Sequence, residues 1–564
     1  PSSPPATSKM AGGDVLLKVG RHSSCSTSPT PRSRTTGDLG GDRNLGGRSG
    51  YLPDMHAPLL RCWFRFAAIV FATIISPPGV VAAATSDEGP SVTSTSESTP
   101  ARSPNVVLIV ADDLGWADIQ PNNPTTFYRT PNLERLAASG VRFTQAYAAS
   151  PVCSPTRGSI MTGRNPARTR TTDWFGGARK ARLIPADYRR ELPLEERTIA
   201  ECLGDVGYDT FFAGKWHLGP EGRWPEDQGF DVNRGGWTRG GPYGGGKYFS
   251  PYGNPRLEDG PRGEHLPDRL ARETVEFMER RAGAPFLAVL SFYSVHTPLL
   301  APEALVETHR SRRASLAIDG PRWGRERSRK VRLVQDHAVY AAMVETMDRA
   351  VGTVLDGLDR LGLADDTVVI FFSDNGGLST SEGHPTSNLP FRAGKGWLYE
   401  GGIREPCIVA APGAAVEAVC DTPITSSDLL PTILDLCGVD PDADRPIDGR
   451  SFRRLLDDPG RESIPRDLYW HYPHYRNQGG APSGAVRSGD LKLIEWFEDG
   501  RVELYDLASD PAERVDLAVD RPDEVRRLSA ALAGWRLGID AAMPQPNPEY
   551  ESPAAEENRP PKRP

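Results

Sequence analysis

Four short apolar runs, each ending abruptly in charged or amide side chains, constrain the fold of this chain more than any other feature. Val106 to Val110 leads into Asp112-Asp113, and Thr210 to Ala213 leads into Lys215-Trp216-His217. Phe286 to Phe292 leads to His296, and Val368 to Phe372 leads into Asp374-Asn375. Short continuous runs of this kind suit strands buried on both faces, as in a parallel sheet covered by helices. Helical segments separate them. Within residues 336–362, Met343, Met347, Val351, Val354, Leu358 and Leu361 recur at steps of three and four, one face of an amphipathic helix. Strands alternating with helices indicate an α/β fold, a large domain with a mostly parallel mixed sheet flanked by helices. Ligands in such sheets bind beyond the carboxyl ends of the strands. The polar groups that close the four runs are therefore expected along one edge.

After residue 465 the texture changes. Tyr469 to Tyr472, Ala485 to Arg487, Leu491 to Trp496 and Val502 to Tyr505 read as short antiparallel strands joined by Gly-containing turns. A last helix from Pro522 carries Val525, Leu528, Leu532 and Trp535 on one face. The expected organisation is a catalytic-size domain over 104–465, a small C-terminal α+β subdomain with a short antiparallel sheet over 466–545, and a disordered Pro- and Glu-rich tail over 546–564.

The N-terminal region reads differently. Residues 1–54 are rich in Ser, Gly, Pro and Arg without periodicity, too little apolar surface to offset ordering entropy. Met55 is then followed by Arg61 and Arg65, an apolar run from Phe66 to Ile75, and Ala82-Ala83-Ala84. This is the pattern of a secretory signal peptide, 55–84, with translation expected to start at Met55 and 1–54 a non-native extension. The apolar run is too short to span a bilayer, so no transmembrane anchor is expected. Residues 85–103 read as a flexible linker, and the expected location is periplasmic or extracellular.

Composition closes off other classes. With 57 Gly and 52 Pro in 564 residues the chain falls short of a disordered composition, and a net charge of −8 argues against a nucleic-acid partner. Seven cysteines are too few for a disulfide-stapled scaffold of this length. Five follow residue 84: Cys153, Cys202, Cys407, Cys420 and Cys437. The odd count points to one special thiol. The other four allow up to two disulfides, with Cys420–Cys437 the favoured pair, or buried thiols.

Asp112, Asp113, Asp374 and Asn375 offer three carboxylates and an amide oxygen, a donor set suited to a hard cation such as Ca²⁺ or Mg²⁺. Either pair alone would read as an ordinary strand end; two at equivalent ends favour metal. Cys153 stands just before an expected helix start, in C-S-P-T-R-G-S-I-M-T-G. A lone Cys is more often a small buried hydrophobe, but the positive end of a helix also suits a nucleophile or an anion.

At these residues the chain resembles the type I sulfatases of the alkaline phosphatase superfamily, whose signature is C-x-P-x-R with T-G downstream. The resemblance covers roughly Pro104 to Leu517, through the closing run E-L-Y-D-L-A-S-D-P-A-E-R-V-D-L-A from Glu503, where Asp516 replaces the family's usual Asn. It implies an alkaline-phosphatase-like fold and a Cys153 oxidised to formylglycine by a maturation enzyme, its hydrated aldehyde the nucleophile. Asp112, Asp113, Asp374 and Asn375, with the converted Cys153, match its Ca²⁺ ligands, Mg²⁺ being the lesser alternative. Arg157 matches the residue that steadies the formylglycine. G-K-W-H-L-G supplies Lys215 and His217, V-H-T-P supplies His296, and G-K-G-W-L-Y-E-G-G-I-R-E-P supplies Lys395.

Three features bear on substrate. A Gly-rich loop, 232–260, carries Trp237, Tyr243, Tyr248, Phe249 and Tyr252, which could stack on sugar rings or stabilise an irregular loop. Tyr469 to Arg476 could bring His471, His474 and Arg476 to the pocket rim. The basic run Arg310 to Arg332 could follow a polyanionic glycan or form a solvated face. Together they favour a sulfated carbohydrate over a simple aryl sulfate. The competing readings are a phosphonate monoester or phosphodiester hydrolase of the same superfamily, and a non-catalytic glycan-binding homologue in which Cys153 stays unmodified.

Overall fold

The structure, a computed structural model, describes residues 103–551 except Ala178 and Ala282. The expected extension 1–54, the expected signal peptide 55–84, the expected linker up to residue 102 and the tail beyond residue 551 lie outside the described residues.

The four apolar runs are four strands of one nine-stranded mixed sheet. Asn105–Ala111 lies between Phe286–Ser291 and Thr367–Ser373 and is parallel to both. Asp209–Gly214 continues the sheet beyond Phe286–Ser291, again parallel. On the other side Arg404–Ala410 enters antiparallel to Thr367–Ser373, and Val141–Tyr147 pairs antiparallel with it in turn. Val141–Tyr147 therefore runs in the same direction as Asn105–Ala111. The reversed strand matters for function: it begins at the edge where its neighbours end.

The lack of alternation in these runs has a direct cause. Along Asn105–Ala111, Val107, Ile109 and Ala111 enter one core cluster, while Val106, Leu108 and Val110 enter a second on the opposite face. The first core is closed by helices Leu266–Arg281 and Ala338–Leu361, the second by Ile199–Gly204 and Leu429–Cys437. In Ala338–Leu361 the predicted face is buried from Met343 through Leu358, and Leu361 lies partly exposed at its end.

Asp467–Tyr472, Ser483–Ser488, Leu491–Trp496 and Val502–Asp506 form a four-stranded antiparallel meander in chain order. One face packs Trp470, Ile494, Trp496 and Tyr505 against Tyr147, Trp397 and Tyr399. The other packs Val486, Leu493 and Leu504 against Leu528 and Leu532 of the last helix, Pro522–Gly538.

Three expectations are corrected. Cys153, Cys202, Cys407, Cys420 and Cys437 are all free and buried, so Cys420 and Cys437 serve as small core residues rather than a disulfide. The chain remains held past 545: Gln545–Pro546 pairs with Leu183–Ile184, and Asn547 Nδ2 donates to the Ala181 carbonyl at 2.7 Å. The basic run is not an open track. Arg313, Arg322 and Arg332 converge on the buried Asp336, and Arg310 pairs with Glu303 and Glu307. No helix among the described residues is long and apolar enough to cross a membrane.

Candidate active site

The catalytic and metal-ligating residues expected from the sequence meet at the carboxyl edge of the main sheet. Asp112 and Asp113 follow Asn105–Ala111, Lys215 and His217 follow Asp209–Gly214, His296 follows Phe286–Ser291, and Asp374 and Asn375 follow Thr367–Ser373. Cys153 opens the helix Cys153–Thr162, placed by the parallel strand Val141–Tyr147. Lys395 belongs to the segment leading into the reversed strand Arg404–Ala410, which is why it reaches the same edge.

The cluster is buried and closely charge-matched. Asp112, Asp113, Asp374, Asn375 and Lys215 are fully buried. Lys215 Nζ donates to both carboxylate oxygens of Asp112 at 2.7 Å, and Lys395 Nζ donates to Asp113 Oδ1 at 2.6 Å. Arg157 Nε donates to Asp374 Oδ2 at 2.7 Å, and its Nη1 reaches the Lys215 carbonyl at 2.9 Å and Ser291 Oγ. Asn375 Nδ2 donates to Asp113 Oδ1 at 2.8 Å. One donor atom from each of Asp112, Cys153 and Asp374 lies within 4.8 Å of the others. Buried charges persist only when paired in this way.

The surroundings set the protonation of each group. Burial pushes the Asp112 carboxyl up against the pull of Lys215. Burial also opposes ionisation of Asp113, but Lys395, His296 and Lys215 outweigh it and hold that carboxyl below the usual range. Lys395 stays above its ordinary value because Asp113 and its neighbours overcome desolvation. His217 is driven well down by burial, then by Lys215 and Arg157. Burial and the Lys395 cation lower His296, against Asp113. The Cys153 thiol rises on burial, despite Lys215 and Lys395, so the positive helix end does not make it a thiolate.

Backbone geometry aims two of these side chains. Asp113 (φ 61°) and His217 (φ 57°) both occupy the left-handed region, which costs a non-glycine residue about 1–2 kcal/mol. Gly214 (φ 99°) precedes Lys215, and a Cβ there would stand 1.9 Å from the Ser291 carbonyl oxygen. That close approach lets Arg157 bridge Lys215 and Ser291. A Cβ on Gly240 would meet His217 Cε1 at 2.4 Å, so the Gly-rich loop backs the imidazole directly.

The same loop corrects an expectation. Tyr248 and Tyr252 are core residues, and Tyr248 Oη donates to the carbonyls of Tyr293 and His296, fixing the His296 backbone. Trp237 and Phe249 are partly buried against the core. Only Tyr243 presents its ring, with Oη 3.4 Å from His296 Nδ1. His471 faces away, its Nε2 donating to the Ala542 carbonyl at 2.8 Å, because alternate residues of its strand point to opposite faces. His474 and Arg476 do approach the site, through Thr172 and Asp173 respectively.

Sequence reading missed Ser291, Asp173 and Trp174. Ser291 carried a signal, a hydroxyl inside an otherwise apolar strand. Asp173 and Trp174 stand in a loop with no periodicity to mark them.

Comparison with known proteins identifies the family. The sulfatase family model matches residues 104–439, and that of the C-terminal region of N-sulphoglucosamine sulphohydrolase matches 393–533. Arylsulfatase A of Homo sapiens is 32% identical over 496 residues, 78% of this chain and 89% of the relative. N-acetylgalactosamine-6-sulfatase of Homo sapiens is 31% identical over 497 residues, 79% of this chain and 88% of the relative. The crystal structure of Ps i-CgsB in complex with k-i-k-neocarrahexaose superposes with a TM-score of 0.63 at 25% identity, covering 81% of this chain and 97% of that one. A family match across most of the sheet, together with relatives aligned over nearly their full length, leads to one conclusion: the chain belongs to the sulfatase family of the alkaline phosphatase superfamily, and it is a sulfuric ester hydrolase.

Proposed function

We propose that this enzyme removes sulfate from a sulfated carbohydrate, with formylglycine made from Cys153 as nucleophile and Ca²⁺ held by Asp112, Asp113, Asp374 and Asn375. The observation that carries the reading is Cys153 at a helix start within 4.8 Å of Asp112 and Asp374, with its thiol raised by burial. The human relative named N-acetylgalactosamine-6-sulfatase supports a sugar sulfate, as does the neocarrahexaose-bound neighbour. The same reading treats 104–465 as the catalytic domain and 466–545 as a C-terminal subdomain. It also needs a formylglycine-generating enzyme in the host and export through 55–84.

The donor set fits a hard divalent cation. It is all oxygen and fully buried, and Asp113 Oδ2 and Asn375 Oδ1 make no hydrogen bond. Ca²⁺ is preferred because Mg²⁺ usually keeps several waters and avoids all-protein cages. Such a cation would supply positive charge to the sulfate oxygens as the transition state makes them more negative. Formylglycine would supply, as its hydrate, one hydroxyl to attack sulfur, its proton passing to Asp374 as the alcohol leaves, and a second whose deprotonation would expel sulfate and regenerate the aldehyde.

The chain's own residues do the rest. Lys215 and Lys395, both held above their ordinary values once neighbouring carboxylates overcome desolvation, present fixed cations to the sulfate oxygens. Arg157 locks Asp374 and the Lys215 backbone in place. His296 Nδ1 lies 2.7 Å from the Thr297 carbonyl. A carbonyl only accepts, so Nδ1 donates and Nε2 is left to protonate the leaving oxygen, with Lys395 beside it. That step needs the imidazolium form, which burial and the Lys395 cation oppose and Asp113 favours. His217, neutral and with Nδ1 unpartnered, receives the proton of the second hydroxyl.

Mass spectrometry of the peptide containing Cys153, paired with turnover of a sulfate ester and a phosphonate ester, tests this. Formylglycine at 153 and preference for sulfate are expected. An unmodified thiol throughout, or faster phosphonate hydrolysis, would overturn it. Prolonged chelation should reduce turnover to background, with Ca²⁺ restoring it and Mg²⁺ restoring less; activity that survives metal removal excludes the cation from the mechanism.

A further inference from the structure

Two exposed aromatic rings stand beside the two histidines of the site. Trp174 is 36% exposed, with its ring centroid 6.3 Å from that of His217. Tyr243 is 49% exposed, with its ring centroid 6.2 Å from that of His296. Beside Trp174 lies Arg476, from the turn after Asp467–Tyr472, only 8% exposed and with its guanidinium 5.6 Å from the Trp174 ring centroid. A Cβ on Gly396, next to Lys395, would fall 3.3 Å from Arg476 Cβ, so Arg476 packs directly on the Lys395 segment.

Arg476 is held but not satisfied. Its Nη1 pairs with Asp173 Oδ1 at 3.0 Å, while its Nε is buried without a partner. Asp173 is itself fixed, accepting from Tyr472 Oη at 2.8 Å and from the Trp174 amide at 2.9 Å.

One ligand can meet both the exposed indole and the guanidinium beside it, which has five N–H donors and pairs one nitrogen with Asp173. A pyranose offers a C–H face to the ring and hydroxyl oxygens to the guanidinium, whereas an aryl group offers only a face. Because Asp173 already neutralises Arg476, the pair suits a neutral hydroxyl rather than a second anion.

We propose that Trp174 and Arg476, with Tyr243 beside His296, bind the sugar that carries the scissile sulfate, Trp174 stacking on its ring and the Arg476 guanidinium donating to one of its hydroxyls. This inference rests on the sulfatase reading above. It extends that reading by assigning sugar selectivity to three named side chains, one of them from the C-terminal antiparallel region.

The test compares kcat/KM on 4-nitrophenyl sulfate with kcat/KM on a panel of monosulfated galactose and N-acetylhexosamine sugars. In Trp174→Ala and Arg476→Lys the sugar-to-aryl ratio should fall about tenfold or more, carried mainly by KM, while Trp174→Phe keeps it within about threefold. Equal losses on both substrate types, or no change in the ratio, overturn the proposal. So does a wild-type enzyme that turns over 4-nitrophenyl sulfate and none of the sugars. Turnover of neither sulfate would instead overturn the sulfatase reading beneath it. Trp174 is exposed, so its variants should fold even where Arg476→Lys does not.

Discussion

Cys153→Ser should lower steady-state kcat by on the order of 10⁵ while still releasing about one equivalent of leaving group per active site. The two halves of that result have separate causes. A serine hydroxyl can attack sulfur once, at the same helix start and among the same Lys215, Lys395 and Arg157 cations. It has no second hydroxyl on the same carbon. His217 then has no proton to take, and release of sulfate must await water attacking a hindered, anionic ester. Pre-steady-state release of 4-nitrophenol separates the phases. Full multiple turnover in the serine variant would remove the need for formylglycine and with it the proposed mechanism.

The second large effect concerns stability. Lys492→Met should destabilise the fold by about 3–5 kcal/mol at pH 8, because it strips the cation from two buried carboxylates. Lys492 Nζ lies 2.9 Å from Glu400 Oε1 and 2.9 Å from Glu513 Oε1, and all three side chains are fully buried. Glu400 also accepts from Tyr147 Oη at 2.7 Å, so the network joins the antiparallel meander to the main sheet. Burial, against the pull of Lys492, pushes the Glu513 carboxyl up to about 7 from an ordinary value of 4.5. A carboxyl raised on folding contributes stability that is present below its unfolded value and lost as pH rises through the folded one. The deficit of Lys492→Met should therefore shrink between pH 8 and pH 5, since neutral Glu513 needs no counter-charge. Urea titrations at the two pH values measure it; equal deficits would show that Glu513 does not change protonation between them.

Much of the site was legible because its residues are tied to local patterns. Asp112-Asp113 and Asp374-Asn375 follow unbroken apolar strands, and strand ends in an α/β sheet are where ligands gather. Cys153, Arg157, Lys215, His217, His296 and Lys395 were legible through the resemblance. The helix over 336–362 and the four C-terminal strands followed from periodicity, which records which face of each element is buried.

Other residues lie beyond such patterns. His471, His474 and Arg476 sit within six positions, yet only the last two approach the site, since strand alternation and the turn after Tyr472 divide them. The basic run between Arg310 and Arg332 reads as an exposed track until Asp336 is seen to collect three of its arginines.

Sequence alone determined the layered α/β fold and the donor types at the strand ends, because burial period and side-chain chemistry are local properties, while the proposed nucleophile, Cys153, was marked by the family resemblance. Only the tertiary structure decided that Lys215 pairs with Asp112, Lys395 with Asp113 and Arg157 with Asp374, and that Trp174 and Arg476 share a wall. Those partners are 103, 282, 217 and 302 positions apart. Strand order, including the reversed Arg404–Ala410, brings them together, and no pattern within one element encodes that order.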